Sequence, residues 1–248
     1  MDEHSRFVQQ ASWTRPLREY FWEKEEIRRG RRILEVGCGS AAVLREWAFA
    51  AAPHGLDLSR SRLREAQVHA PASILVQGDA LFLPYAPDTF DLVYCHYFLL
   101  WVSDPLQALC EMRRVTRPGG FILALAEPDY SQRVEEPPEL LLPAEWQNEA
   151  LRRRGAEITI GARLAALFAQ AGIVLIESGC LAPRPRPALD AAELEAEWQQ
   201  LRQDLAGSIP EETLRFFDRV EERARLHGER YFYVPTWFAW GLKGEDRV

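Results

Sequence analysis

The stretch Arg32-Ile-Leu-Glu-Val-Gly-Cys-Gly-Ser-Ala-Ala42 decides the fold class of this chain. It opens with a short apolar strand at residues 32–36 and passes directly into a turn that contains two glycines. Glycines in such a turn let the backbone bend tightly and bring a ligand close to the amides at the start of the next helix. The apolar pattern after the turn predicts that helix, with these inward residues: Val43, Leu44, Trp47 and Ala48.

The same alternation of apolar strands and amphipathic helices continues along the chain. Further strands are predicted at residues 54–57, 73–77, 90–95, 121–125, 173–176 and 231–243. Helices are predicted at residues 1–30, from Ser59 to 66, from Asp104-Pro105 to a stop before Pro118, and from Leu164 to Ala171 before Gly172. This order is typical of a doubly wound, mostly parallel sheet of seven strands with helices on both faces.

Two segments interrupt the alternation. Residues 128–160 are rich in proline and charge and carry one predicted helix near Trp146, and residues 189–227 predict two helices. Insertions in the second half of such a sheet commonly lie over the ligand crevice. We therefore expect a single domain over residues 1–248, with a helical segment at 1–30 and both insertions forming a cap.

Composition and charge narrow the classes of function. The chain has 248 residues, a net charge of −7 and four scattered cysteines, with no paired spacing that is typical of zinc sites or disulfides. An acidic chain disfavours nucleic-acid binding, since such surfaces are usually basic. No apolar run reaches membrane-spanning length, and the polar first ten residues lack a signal-peptide core. We expect a cytoplasmic protein with no metal site, nucleic-acid partner or membrane association.

Two aspartates follow the next two predicted strands. Asp57 ends the second strand, where a carboxylate accepts hydrogen bonds from the hydroxyls of a ribose, and Asp79 ends the third, where it accepts one from an adenine amino group. With the glycine turn, these strand ends predict an adenosine site. The turn alone also satisfies the dinucleotide pattern through Gly37, Gly39 and Ala42, so a nicotinamide enzyme is the alternative for that motif.

Five stretches together carry a resemblance to a known family. They are Ile33-Leu-Glu-Val-Gly-Cys-Gly39, Gly55-Leu-Asp-Leu-Ser59, Gly78-Asp-Ala80, Phe90-Asp-Leu-Val93 and Arg117-Pro-Gly-Gly120. In this order and spacing the chain resembles the class I S-adenosylmethionine-dependent methyltransferases, in particular those acting on small molecules. The resemblance spans roughly residues 30 to 180 and implies a Rossmann-like methyltransferase fold. It also implies S-adenosyl-L-methionine as cofactor and S-adenosyl-L-homocysteine as product.

The resemblance assigns expected cofactor-binding roles to eight residues. They are Glu35, Gly37, Gly39, Asp57, Leu58, Asp79, Ala80 and His96. It implies that Glu35 organises the glycine loop and the methionine end, that Leu58 packs on the adenine, and that His96 lies near the sulfonium. The chain departs from the family at Ala41, where a third loop glycine is usual, and this change is expected to shift the loop slightly.

Candidates for chemistry are weaker signals. The residues expected near the sulfonium are His96, Tyr97, Glu127, Asp129 and Tyr130, and none of them is assigned as a catalytic base. His96 has a purely structural interpretation that is equally compatible with the sequence. The possible pocket residues are Trp13, Arg18, Trp146, Arg163, Tyr233 and Trp237, although aromatic residues at such spacing more often belong to a core.

These features predict a methyltransferase that transfers a methyl group to a small, partly apolar molecule by direct displacement. One alternative is a macromolecular acceptor such as tRNA. Another is a module that binds the cofactor or its demethylated product without turnover.

Overall fold

The computed structural model describes residues 3–28, 32–47, 52–181 and 191–245, and its centre is a seven-stranded sheet. The strands of the described chain are β1 (Ile33–Val36), β2 (His54–Asp57), β3 (Ile74–Gln77), β4 (Phe90–His96), β5 (Thr116–Pro128), β6 (Val134–Glu136), β7 (Ile173–Cys180), β8 (Tyr231–Tyr233) and β9 (Thr236–Lys243). The order in the main sheet is β3-β2-β1-β4-β5-β9-β7, and only the pairings of β9 are antiparallel. The predicted doubly wound, mostly parallel seven-stranded fold is confirmed.

The described chain also contains nine α-helices. They are α1 (Glu3–Trp13), α2 (Arg15–Trp22), α3 (Glu25–Arg28), α4 (Arg60–His69), α5 (Pro105–Val115), α6 (Leu141–Arg153), α7 (Ile160–Gln170), α8 (Ala191–Leu205) and α9 (Glu211–Leu226). Short 3₁₀ helices lie at Leu44–Trp47, Leu99–Trp101, Tyr130–Gln132 and Pro138–Leu140. Within the described ranges, no helix combines the length and apolar character that crossing a bilayer requires.

The helix starts follow local capping chemistry. The Asp104 side chain accepts a hydrogen bond of 2.9 Å from the Gln107 backbone N–H, and Pro105 occupies the first turn of α5, where its missing N–H costs nothing. Ser59 caps α4 in the same way by accepting from the Arg62 backbone N–H. These signals are local, so the sequence alone predicts both starts.

The helix predicted directly after the glycine turn is wrong in length. Only a 3₁₀ helix at Leu44–Trp47 forms there, and Ala48 lies outside the described residues. Ala41 has a φ of +66°, in the left-handed region, and its N–H closes a turn onto the Cys38 carbonyl. A left-handed residue cannot continue a right-handed helix, so the helical pattern starts only after it.

Two other elements are broken where prolines occur. The helix predicted over residues 1–30 is interrupted at Thr14, before Pro16 in the first turn of α2, since proline cannot continue a preceding helix. The strand predicted at 231–243 divides before Pro235, because proline has no N–H for a ladder. β8 then pairs with β6 in a separate two-stranded sheet, whereas β9 enters the main sheet between β5 and β7.

The two faces of the main sheet have separate cores. On one face, α5 and α7 pack against the sheet with a cluster that includes Leu109 and Phe168. On the other face, the N-terminal helices pack around Phe21 and Trp47. A third apolar cluster joins α6, α8 and α9 to one another and is centred on Trp198. These three helices lie within or next to the two segments that interrupt the strand-helix alternation.

Candidate functional site

A cavity of about 650 Å³ opens at the carboxyl ends of β1, β2, β3 and β4. All eight residues expected to bind the cofactor line it. They are Glu35, Gly37, Gly39, Asp57, Leu58, Asp79, Ala80 and His96. Parallel strands place their carboxyl ends along one edge, so residues far apart in sequence converge there.

The glycine loop is held against β2. The Gly37 and Cys38 backbone N–H groups both donate to the Leu56 carbonyl, at 2.7 and 2.9 Å. Gly37 has a φ of +75°, and a Cβ at that position would lie 2.1 Å from a ring carbon of Phe98. No other residue type fits this position without displacing the ring.

The Asp57 carboxylate is buried and is oriented by two backbone amides. Its Oδ2 accepts from the Gly39 N–H at 2.9 Å, and its Oδ1 accepts from the Ser59 N–H at 2.8 Å. Each oxygen keeps a second lone pair for a further hydrogen bond. Asp57 therefore both locks the glycine loop and presents two acceptors to the cavity, which is the arrangement that ribose hydroxyls require.

The adenine end of the predicted site is more open. Asp79 is exposed, and its Oδ1 accepts from the Leu81 N–H at 2.9 Å, which fixes the direction of the carboxylate. Leu58 lines the cavity with 70% of its surface exposed. An apolar side chain that is this exposed beside a carboxylate suits the face of a flat, polar-edged ring such as adenine.

Glu35 is buried beneath the loop. Its Oε2 accepts a hydrogen bond of 2.9 Å from the Tyr94 hydroxyl. Burial raises the pKa of Glu35 to about 8, although the Tyr94 hydrogen bond opposes the rise. The carboxyl group therefore changes its charge near neutral pH, and it does so at the wall of the cavity.

His96 is tied to the N-terminal helices. A hydrogen bond of 2.8 Å joins its Nε2 to Thr14 Oγ1, which also accepts from Arg18 Nη1 at 2.6 Å. Arg18 in turn forms an ion pair of 2.7 Å with Glu46. Burial lowers the pKa of His96 well below its ordinary value, and the Arg18 guanidinium lowers it further. His96 is consequently a neutral imidazole held in place by α1 and α2.

Two of the five residues considered near the sulfonium do not line the cavity. Glu127 is fully buried and accepts backbone hydrogen bonds of 2.9, 3.0 and 3.3 Å from the successive residues 98–100. Asp129 accepts hydrogen bonds from Ser131 and Gln132. Both carboxylates hold local backbone structure, whereas His96, Tyr97 and Tyr130 do line the cavity.

Of the six possible pocket residues, only Trp13 and Tyr233 line the cavity. Trp146 instead packs edge-on against Phe217 of α9. Arg163 is an exposed partner of Glu157, and Trp237 packs against the core of the main sheet. Arg18 is buried in an ion pair with Glu46 and does not line the cavity. The interpretation of these last four residues as pocket residues is therefore wrong, because each one packs against or pairs with other parts of the protein.

The cavity extends beyond the predicted cofactor residues toward the helical layer. This second part is lined by Arg6, Gln10, Tyr130, Arg133, Gln147, Glu197, Gln200, Asp204 and residues 231–234. Sequence analysis missed most of these residues. Most lie on a helix or loop whose pattern is that of an ordinary amphipathic segment, and residues 231–233 form β8, so only the tertiary arrangement brings them together.

Comparison with known proteins finds similarity over a segment in the first half of the chain. The family model described as "Methyltransferase domain" matches residues 34–124. A malonyl-[acyl-carrier protein] O-methyltransferase of Erwinia billingiae is 39% identical over 98 residues, which is 39% of each chain. A demethylmenaquinone methyltransferase of Halalkalibacterium halodurans is 36% identical over 122 residues, covering 42% of this chain and 48% of the relative. The matched segment thus spans less than half the length of either relative.

Solved structures share the overall fold. The YcgJ protein of Bacillus subtilis has a TM-score of 0.55 at 18% identity, covering 87% of this chain and 93% of its own. The [4+2]-cyclase SpnF has a TM-score of 0.60 at 19% identity, covering 92% of this chain and 80% of its own. At such identities the likeness shows the fold, and the reaction has to be argued from the site.

Proposed function

We propose that this chain, which carries a class I methyltransferase domain, transfers a methyl group from S-adenosylmethionine to a small, partly apolar molecule. The observation that carries the proposal is the single cavity that contains all eight expected cofactor residues and continues into a second part beneath the helical layer.

The cavity wall fits the cofactor. Asp57 offers two acceptors to a ribose, Asp79 offers one to an adenine amino group, and the exposed Leu58 offers an apolar face between them. Glycine at 37 and 39, both with positive φ, keeps the loop free of side chains where the ligand approaches.

When bound, S-adenosylmethionine supplies a methyl group on a positively charged sulfur. The residues of this chain align the acceptor and exclude water, which are the main contributions a protein makes to a one-step displacement. Arg18 and burial keep His96 neutral, so this imidazole adds no positive charge to the predicted sulfonium end of the cavity.

Residues 128–160 and 189–227 act in this proposal as a cap. Tyr130, Arg133 and Gln147 from the first segment and Glu197 and Gln200 from the second all line the cavity. A half-buried hydrogen bond ties the two segments together, in which Gln147 Nε2 donates to Asp204 at 2.7 Å. Such a layer shields the reacting groups from water.

The wall of the cavity supports an acceptor that is partly apolar. Aromatic side chains on α1, the end of β4 and β8 contribute to it, among them Trp13, Tyr97 and Phe232. A small acceptor also agrees with a chain whose net charge is −7, since a polyanionic macromolecule would call for several basic contacts.

The test uses methyl-labelled S-adenosylmethionine and a fractionated lysate of the source organism. We expect label in the small-molecule fraction, resistant to nuclease and protease, and we expect Asp79→Ala to transfer clearly less at the same limiting cofactor concentration. Label confined to RNA or protein would show that the acceptor is a macromolecule and would overturn the assignment of a small-molecule acceptor. Tight binding of S-adenosylhomocysteine without any transfer would favour a module that only binds the cofactor.

A further inference from the structure

The cap side of the cavity contains two opposite charges that have no partner among the described residues. Glu197 projects from α8 and Arg6 from α1, and both line the cavity near Tyr130. Within the described part of the chain, neither side chain makes a hydrogen bond or an ion pair, and the Arg6 Nε is buried with no acceptor. Both residues are half-buried, and a charged group that loses part of its hydration in this way is destabilising unless something pairs with it.

The pKa of the Glu197 carboxyl group shows the effect of its surroundings on the charged form. Burial raises that pKa to about 7, although the guanidinium groups of Arg133 and Arg6 both oppose the rise. The two arginines therefore fail to compensate the lost hydration of the carboxylate. A positive charge brought into direct contact with it would do so.

The other charges around this part of the cavity are already paired. The Arg133 Nε donates to Glu135, and Arg230 Nη1 donates to the same carboxylate at 2.6 Å. Arg154 forms an ion pair of 2.8 Å with Asp204. Glu197 and Arg6, in contrast, have no such partner among the residues that the structure describes.

Tyr130 lies within the electrostatic reach of both groups. Burial raises the pKa of its hydroxyl, the negative charge of Glu197 raises it further, and Arg133 and Arg6 oppose the rise. Tyr97, which has a φ of +49°, is also influenced by Glu197. A non-glycine residue in the left-handed region is commonly found where a side chain must be aimed into a functional site. Both tyrosines line the same cavity as Glu197 and Arg6.

We propose that Glu197 and Arg6 bind the two charges of a zwitterionic acceptor, with an ammonium group against Glu197 and a carboxylate against Arg6. The body of the acceptor lies against Tyr97 and Tyr130. This inference rests on the proposed function, since it identifies the chemical class of molecule that fills the acceptor side of the same cavity.

The test measures binding of four probes that share a phenyl ring and differ in charge. They are L-phenylalanine, phenethylamine, 3-phenylpropionate and 2-phenylethanol. Each is titrated at pH 8 into full-length protein saturated with S-adenosylhomocysteine, so that the zwitterionic end of the cofactor is already accommodated. We expect L-phenylalanine to bind about tenfold or more tightly than 2-phenylethanol, because each added charge gains a charged hydrogen-bond partner.

Single substitutions separate the two contacts. Glu197→Gln should weaken L-phenylalanine and phenethylamine about tenfold and leave 3-phenylpropionate unchanged. Arg6→Gln should weaken L-phenylalanine and 3-phenylpropionate and leave phenethylamine unchanged or improved. The matched controls are Glu195→Gln, which lies on α8 and pairs with Arg225 outside the cavity, and the exposed Arg15→Gln. Both controls should behave like the parent protein.

The outcomes distinguish this inference from the proposed function. Failure of S-adenosylhomocysteine to bind would overturn the proposed function itself. Normal binding of that compound, combined with equal affinities for all four probes or no binding of L-phenylalanine, would overturn the zwitterion assignment alone. If Arg6→Gln weakens S-adenosylhomocysteine as well, Arg6 belongs to the cofactor site and the assignment of the carboxylate is wrong.

Discussion

Replacing Asp57 with alanine should damage both the fold and the cofactor site. The substitution leaves the Gly39 and Ser59 N–H groups without their acceptor, at sites that are buried and half-buried, respectively. A hydrogen bond to a charged group contributes about 1.5–3 kcal/mol, and water recovers part of the loss at Ser59. We expect the free energy of unfolding to fall by roughly 2–4 kcal/mol.

The predicted loss is measurable by thermal unfolding. For a chain of this size, each kcal/mol shifts the Tm by about 2–4 °C, so Asp57→Ala should melt roughly 5–15 °C below the parent. The Tm of Asp57→Asn should lie between that of the parent and that of Asp57→Ala. The amide of asparagine keeps one acceptor oxygen, but it turns an NH₂ group toward the other backbone N–H.

Asp79→Ala is the matched comparison. Asp79 is exposed and accepts one backbone hydrogen bond, from Leu81, so its loss should cost only about 0.5 kcal/mol of stability. A ligand at one hundred times its Kd stabilises the native state by about 2.7 kcal/mol. S-adenosylhomocysteine should therefore raise the parent's Tm clearly and raise that of both alanine variants much less.

The two variants separate a role in folding from a role in binding. A Tm for Asp57→Ala within 2 °C of the parent, in the absence of ligand, would refute the argument that this carboxylate locks the glycine loop. Calorimetry that finds parental affinity for S-adenosylhomocysteine in Asp57→Ala would refute its assignment to the ribose.

Three other substitutions test separate features. Ala41→Gly should stabilise the protein by about 1 kcal/mol or less in chemical denaturation. Glycine removes the left-handed strain at φ +66°, but it loses more backbone conformational entropy on folding, which offsets part of the gain. A lower denaturation midpoint would contradict this prediction. Burial raises the pKa of Glu35 to about 8 in the folded state, so its favourable contribution at low pH is lost as the pH rises from about 4.5 to 8. The Tm of Glu35→Gln, measured relative to the parent, should therefore increase between pH 5 and pH 8, and a constant difference would oppose it. Glu135→Ala leaves Arg133 and Arg230 without their ion-pair partner, and all three side chains are buried. Urea denaturation should therefore show a fall of about 3–5 kcal/mol in the free energy of unfolding. A fall below about 1 kcal/mol would mean that these ion pairs do not hold the cap.

Local sequence signals determined most of the framework of this protein. The glycine motif, Asp57 and Asp79 predicted an adenosine site, and five stretches between residues 33 and 120 predicted a methyltransferase domain, which the family model matches over residues 34–124. This succeeds because strand periodicity, glycine turns and helix caps depend on neighbouring residues, and because parallel strands bring their carboxyl ends to one edge. All eight expected cofactor residues accordingly line one cavity, and their individual roles stay predictions.

Only the tertiary structure decided the rest. Whether a carboxylate faces a ligand or the backbone depends on contacts that the local sequence pattern does not contain. Glu127 was therefore a candidate for the chemistry, and it is instead a buried acceptor for the backbone N–H groups of residues 98–100. Arg6 and Glu197 are almost two hundred positions apart and have no motif around them. They reach the same cavity because α1 and α8 each bury an apolar stripe against other elements, which leaves their polar side chains facing the space between.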